Sequence, residues 1–575
     1  MLIAFVLCTL HLFNRTAVLL VLVLLAVVAG LSWRRAPTDS RPERSWSLAV
    51  VVVPLVAVFA LLFVCALSPS PAWDADTYHL TVPRLYLEAG GFRPIRFNVY
   101  SNWPLNMELL YGLAMMFHDY VTATLLHFAV GVAVAMALVR GCALSRGPHA
   151  RWAGWIAAGL FWANGTMQEM LAAAYVDLAV TFFFVAAFLF TWQASEETGS
   201  RGTSLLVAGV CAGILAGLKL NGVLGAGTVA VLFPVRQRSS WRLWLTNFCL
   251  PAALLASLWP LKSWVLTGNP IYPFLWGGPD WNAELTAKLQ HWQLSLGMGR
   301  TPRDYLLLPF RVLLGSQGNY QHFAGSLTSA WAAVIPLTLV LGWRRPFVRA
   351  CLGVAGLYFL VWASSSQQLR FLMPSFALLA MAGGSTLVAL IERFAPARAA
   401  LLVPVGAATG VLLLSSVSVS GRADSGPAIG WPGALAQAGK LLPMYLERGS
   451  TLPAAAIPAI DDYANQSLPD TARVLLLNTN RAFFLHRDFL ADSFFEASQI
   501  TAWLGDATTP DDVQQRLHDA GVSHIVFGGK DYGYPPALMK LLRERRGLTE
   551  LFHDPAHGQS LLALCDPATC PSAGR

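Results

Sequence analysis

The sequence predicts a polytopic α-helical membrane protein of about 12–13 transmembrane helices carrying a small C-terminal α/β soluble domain, and three observations predict it. Of the 575 residues, 55% are hydrophobic and only 13% are charged, a balance that soluble globular domains do not reach. Apolar runs approaching the ~20 residues that a bilayer core requires recur as far as residue 417. Arginines mark alternate connections between those runs, as short cytoplasmic loops do.

Taken in order, the runs are 17–31, 48–67, 121–139, 153–161, 178–192, 205–218, 223–233, 243–266, 330–341, 351–362, 371–391 and 401–417. The shorter ones must extend into polar flanks or pack as broken helices. Met1 to Phe13 is apolar, too short to span alone, and ends at Asn14 and Arg15. With no positive residues ahead of it and no Ala-x-Ala site behind it, it reads as part of an uncleaved membrane helix or a truncated first span.

The basic connections hold Arg34, Arg35, Arg41 and Arg44; Arg140, Arg146 and Arg151; Arg236, Arg238 and Arg242; Arg344, Arg345 and Arg349; and Arg393 and Arg398. Placing them inside puts 68–104, 164–176, 219–222, 267–326, 364–370 and everything after 420 outside. The hairpin with Glu196, Glu197 and Arg201 is the one weakly basic inside loop. These loops largely account for the net charge of +8, which therefore argues for membrane orientation and against nucleic-acid binding.

Six of the eight cysteines fall in or beside apolar runs, where a free thiol behaves as a small hydrophobe. Cys565 and Cys570 close a short loop in the tail, where a disulfide is permitted. No Cys/His cluster has zinc spacing, and neither a GxxxxGK phosphate loop nor a nucleophile elbow occurs. Residues 1–419 therefore form the transmembrane domain, with outside loops 68–104 and 267–326, and 420–575 form an extracytoplasmic α/β domain. In the latter, strands at 472–477 and 522–527 alternate with a helical stretch at 510–520. The pair Gly528-Gly529 reads as a turn.

Chemistry concentrates in the outside segments. Asp74, Asp76 and His79 stand within six residues, directly after a long apolar run, and Arg84 follows. A carboxylate there stays ionised on the water side and still faces a lipid-borne substrate. From Leu105 to His118 the chain is amphipathic, which suits a helix along the membrane surface; Glu108 either serves the site or solvates that helix. Asp177 begins an apolar run and Lys219 separates two others, so both are functional candidates, or else a structural pair. Tyr272 sits in the turn-rich TGNPIYPF segment, and Arg370 at a helix start either binds phosphate or snorkels.

The segments WDADTYHLTVPRLYLEAGG, SNWPLNMELLYG, AYVDLAV, GLKLNG, TGNPIYPF and QQLRFLMP, in this order and followed by a soluble tail, resemble the GT-C superfamily of integral membrane glycosyltransferases. The bacterial branch similar to protein O-mannosyltransferases and lipid A aminoarabinose transferases fits best. The resemblance implies an inverting transferase in the bacterial cytoplasmic (inner) membrane, its tail outside the cytoplasm. It would move a sugar from a polyprenyl-phosphate donor to a lipid, glycan or protein acceptor. Asp74, with Asp76 as its neighbouring alternative, would be the catalytic acid of the first loop. His79, Arg84, Glu108, Asp177, Lys219, Tyr272 and Arg370 would bind substrate, with Arg370, Lys219 and Arg84 as the cations available to the phosphate. Two departures stand out: Asp74 is followed by Ala75 where the O-mannosyltransferases typically show Asp-Glu, and no second-loop DxD or ExD occurs. A metal-free mechanism is therefore the working expectation, with a divalent metal as the alternative cofactor. The rival reading is a transporter or flippase, which would hold its ionisable residues at mid-membrane in broken helices; a catalytically dead scaffold is a third.

Overall fold

The computed structural model describes residues 1–20, 46–67, 72–145, 147, 149–197, 199–316, 320–394, 399–418, 430–448, 458–494, 497–528, 533–545 and 547–564. Most of the run at 17–31 lies outside them, as do Arg34, Arg35, Arg41, Arg44, Arg146, Arg398, Gly529, Cys565 and Cys570.

Among the described residues six helices are long and apolar enough to cross a membrane: Ala49–Ala66, Tyr120–Ala143, Asp177–Glu196, Arg238–Thr267, Pro346–Ala363 and Leu369–Arg393. Shorter apolar helices at Arg201–Ala216, Leu220–Arg236, Trp331–Gly342 and Leu402–Ser415 accompany them. Ala150–Trp162 fills the place of the run at 153–161. In their most apolar 18-residue stretches Leu369–Arg393 is 78% buried and Arg238–Thr267 only 17%, which makes the first a central pillar and the second an edge of the helical bundle.

Lipid tails give helices no hydrophobic reason to associate, so close packing of small residues carries the contact. A Cβ on Gly154 would stand 2.7 Å from the Val139 carbonyl oxygen, one on Gly384 2.3 Å from that of Ala153, and one on Gly209 2.5 Å from that of Phe248. Glycine at these three positions sets the spacing of five helices.

After Ala49–Ala66, the segment described from residue 72 enters one wide π-type turn, Ala75–His79, closed by Leu80 N–H donating to Ala75 O at 2.9 Å. Such single wide turns re-aim side chains and recur at functional sites. Helix Thr81–Glu88 and the turn Val99–Asn102 follow. The amphipathic stretch forms the helix Asn106–Phe117, with a correction: its first two turns are built into the protein, with Asn106, Met107, Glu108, Leu109, Tyr111 and Gly112 all buried. The cause is polar as well as apolar. Asn106 donates its backbone N–H to Gly217 O at 2.9 Å and its side-chain amide to Ile214 O at 3.1 Å, while Trp259 Nε1–H donates to its Oδ1 at 2.9 Å. At the N-terminus Leu2–Thr9 is a separate helix, broken near His11 and docked on the same loop through Phe92 N to Cys8 O and Phe13 N to Gly90 O.

Helix Trp431–Arg448 packs on the membrane helix Ala49–Ala66, and the α/β unit occupies the described residues from 458 onward. Its strands are β1 (Arg473–Leu477), β2 (Asp488–Ala491), β3 (His524–Phe527), β4 (Leu548–Asp554) and β5 (Gln559–Leu564), ordered β2-β1-β3-β5-β4. β1 runs parallel to β2 and β3, and β5 antiparallel to β3 and β4. Period-two alternation sends Leu475, Leu477 and Ile525 to one face and Val474, Leu476 and Val526 to the other, each beneath its own helices. Phe97, from the segment that carries the acids, inserts into the former core. Its carbonyl accepts from Ser493 N–H at 3.2 Å, and Val99 N–H donates to Ser493 Oγ at 2.9 Å. The soluble domain is thereby fixed directly over the loop that carries the acids.

Candidate active site

The wide turn separates the two aspartates. Asp74, just before it, pairs with Arg370 at 2.8 Å from the start of the central membrane helix. Asp76, inside it, accepts from Arg481 Nη2 at 2.7 Å and Nε at 3.1 Å, an arginine of the soluble domain. His79 closes the turn, with its Nδ1 at 2.6 Å from Glu108 Oε1, and both side chains are essentially without solvent access. Burial pushes His79 down and Glu108 up from their ordinary pKa values; Lys219 and Arg370 push His79 the same way, and Lys219 opposes the shift at Glu108.

The remaining pair is Lys219 Nζ to Asp177 Oδ1, 3.1 Å. Both stand at helix starts: Asp177 opens Asp177–Glu196 and Lys219 precedes Leu220–Ala230. Phe371 joins the two cations, with Lys219 Nζ 4.0 Å and the Arg370 guanidinium 5.0 Å from its ring centroid; Arg370 also lies 4.9 Å from the Tyr175 ring. Desolvated cation–π contacts of this kind are worth on the order of 1–2 kcal/mol. Asp74, His79, Glu108, Asp177, Lys219 and Arg370, drawn from five separate stretches, therefore form one buried ionic cluster. Within it His79 Nε2, Glu108 Oε2 and Asp177 Oδ2 are buried without a hydrogen-bond partner, as is His127 Nε2 nearby, and such atoms are costly unless a ligand or solvent meets them.

Two of the expected substrate-binding residues stand elsewhere. Arg84 lies apart from this cluster: its guanidinium donates to Ala482 O at 3.2 Å and Leu485 O at 3.0 Å and pairs with Glu88, contacts that dock the α/β domain. So does Tyr272: its hydroxyl donates to Pro279 O at 2.8 Å, its carbonyl accepts from Trp103 Nε1–H, and it closes the 269–281 turn. The snorkelling alternative for Arg370 fails because the side chain is turned inward to Asp74. Glu108 does not solvate a surface helix, being 1% exposed.

Sequence reasoning missed four participants. Arg481 reaches Asp76 from 405 positions away. Asp461, fully buried in helix Ala459–Ser467, is pushed up to about 7 by burial first and by Asp76 second, with Arg84 and Arg481 opposing. Tyr175 stacks under Arg370. Lys262 lies buried in Arg238–Thr267 and donates to Tyr86 OH at 3.0 Å and to Ser101 O. The last had a signal, a lysine inside a long apolar run; a contact such as Asp76 to Arg481 leaves none. Among the described residues no three His, Cys, Asp or Glu side chains gather as a metal-binding group.

No family model matches this chain. An uncharacterised protein of Shigella flexneri is 22% identical over 185 residues, 32% of this chain and 92% of that protein. The crystal structure of ArnT from Cupriavidus metallidurans in the apo state matches with a TM-score of 0.57 and 14% identity, over 91% of this chain and 100% of that one. The same protein bound to undecaprenyl phosphate matches with a TM-score of 0.55 and 14% identity, over 92% and 100%. The fold expected from the ordered loop motifs is thus the fold observed: this chain shares the fold of ArnT along nearly its whole length.

Proposed function

We propose that this protein is an inverting glycosyltransferase that takes a hexosyl or pentosyl group from a polyprenyl-phosphate donor. It transfers that group to a lipid, glycan or protein acceptor at the outer face of the bacterial cytoplasmic membrane, with the soluble domain outside. The observation that carries this reading is the buried meeting of Asp74, Arg370 and Lys219 at helix starts, on the fold of a protein crystallised with undecaprenyl phosphate. The acceptor hydroxyl attacks the anomeric carbon opposite the phosphate; the new C–O bond forms as the C1–O(phosphate) bond breaks, and its electron pair stays on the phosphate. Arg370 and Lys219 stabilise that growing charge. Asp74, 2.8 Å from Arg370, accepts the hydroxyl proton.

The transporter reading is the weaker one on a specific observation. It needs its ionisable residues at mid-span, yet Asp177 and Lys219 both sit at helix starts, on the side of the first-loop acids. The test is transfer of radiolabelled sugar from synthetic polyprenyl-phosphate donors by the purified chain, with and without chelator. Asp74→Asn should lower turnover by on the order of 10²–10⁴-fold with the fold intact, and Asp76→Asn by far less, because Asp76 faces Arg481 of the C-terminal domain and not the Arg370 and Lys219 cations. Equal activity of Asp74→Asn and wild type overturns the assignment.

A further inference from the structure

The bond between His79 Nδ1 and Glu108 Oε1, 2.6 Å long, holds one proton. Two inventories are open to the pair. With a net charge of −1, the bridging proton belongs to Nδ1 and Nε2 is a bare lone pair, able to act as a base. An electroneutral pair whose second proton sat on Glu108 Oε2 would be joined by a neutral N–H···O=C bond of about 2.9 Å; the 2.6 Å contact instead fits an O–H···N or N⁺–H···O⁻ bond, and in either of these Nε2 carries a hydrogen. An imidazole accepting from a protonated Glu108 keeps its own hydrogen on Nε2, and an imidazolium donating to a carboxylate has one on each nitrogen.

The surroundings choose between these. Asp74 is already matched by Arg370 and Asp177 by Lys219, so the neighbouring ion pairs leave no cation over for an unbalanced carboxylate at Glu108. His79 is 1% exposed and Glu108 1% exposed, and an uncompensated charge at that depth costs several kcal/mol as an order of magnitude. The titratable and charged groups that face the pair are Lys219, Arg370, His127, Tyr78 and Tyr175 toward His79, the last two rings lying 4.1 and 5.5 Å from the imidazole, and Lys219, Asp177, Tyr111 and Tyr86 toward Glu108. The electroneutral pair follows, and with it a buried Nε2–H that has no acceptor among the described residues.

We propose that His79, its proton inventory set by Glu108, is a neutral hydrogen-bond donor to a phosphate oxygen of the lipid-linked ligand and not the base of the reaction. Arg370 and Lys219 supply charge; His79 supplies direction, because an imidazole held at Nδ1 has a single N–H axis. Glu108 acts as a positioning residue. The inference rests on the polyprenyl-phosphate reading above and narrows it.

The test uses the full-length protein in detergent, with farnesyl phosphate as a short-chain probe, and histidine ¹⁵N NMR assigned by His79→Gln. Without ligand, wild type should show His79 Nε2 protonated at about pH 7.5; an unprotonated Nε2 there overturns the proposal whatever the ligand does. Above about pH 7.5 the probe is already a dianion, so any further fall in its affinity reports the protein. Wild-type affinity should fall with rising pH as the pair loses its proton, because a lone pair then faces the anion. Glu108→Gln, whose amide N–H can donate to Nδ1 and keep Nε2–H in place, should bind with near wild-type affinity at about pH 7.5 and lose that fall. His79→Phe should bind roughly tenfold or more weakly. If wild type binds the probe but Glu108→Gln shows the same pH profile, the proposal fails and the glycosyltransferase reading stands. If wild type binds neither farnesyl phosphate nor undecaprenyl phosphate, both fail together.

Discussion

Arg481 shows what a linear reading cannot see. Its partner Asp76 was conspicuous in the sequence, as an acid beside a membrane run, but the arginine lies in a polar tail where one basic residue looks like any other. The same holds for Asp461, an ordinary first-turn aspartate by sequence. In the fold it is buried against Asp76, which together with desolvation raises it to about 7. Its folded pKa exceeds the unfolded value near 3.8. The folded domain therefore binds the extra proton between about pH 4 and about pH 7, and stability is lost as pH rises through that window. Asp492, also pushed up to about 7 by burial, acts in the same direction. Hydrogen exchange on the soluble domain of the intact protein should show protection falling by a few kcal/mol, as an order of magnitude, from about pH 4 to about pH 8. Asp461→Asn should remove part of that slope; an unchanged slope would mean that folding does not raise the pKa of Asp461.

At the scale of elements, the helices were legible and their junctions were not. Each apolar run from 48–67 onward corresponds to a helix because composition alone decides what can lie in lipid. The helix Asn106–Phe117 was recognised, but its placement was not, because burial there is enforced by Gly217, Ile214 and Trp259 and not by its own pattern. Close approach is likewise invisible until the helices are packed. Gly154→Val should force Tyr120–Ala143 away from Ala150–Trp162, at a cost of about 1–3 kcal/mol, and lower the thermal midpoint. Gly353→Ala is the control, because a Cβ there meets nothing within 4 Å. Equal midpoints for the two variants would refute the spacing role of Gly154.

Across the whole molecule, the candidate site is a convergence of helix starts from one side of the membrane domain, covered by the α/β domain clamped to the segment 72–104 through Phe97, Ser493 and Arg481. Of the site residues, the sequence disclosed the chemical types well and the pairings poorly. Asp177 and Lys219 were foreseeable as a pair because each interrupts an apolar run; Asp74 with Arg370 spans the chain. This architecture separates cleavage from transport. In proteoliposomes carrying a doubly labelled polyprenyl-phosphate sugar in the leaflet that faces the soluble domain, an enzyme breaks the C1–O bond while the lipid stays in place. Product analysis by mass spectrometry with wild type and Asp74→Asn is therefore the most direct measurement. Release or transfer of the sugar with inversion at the anomeric carbon by wild type, lost in Asp74→Asn, is the expected result; intact donor appearing in the opposite leaflet, with no bond broken, would contradict it.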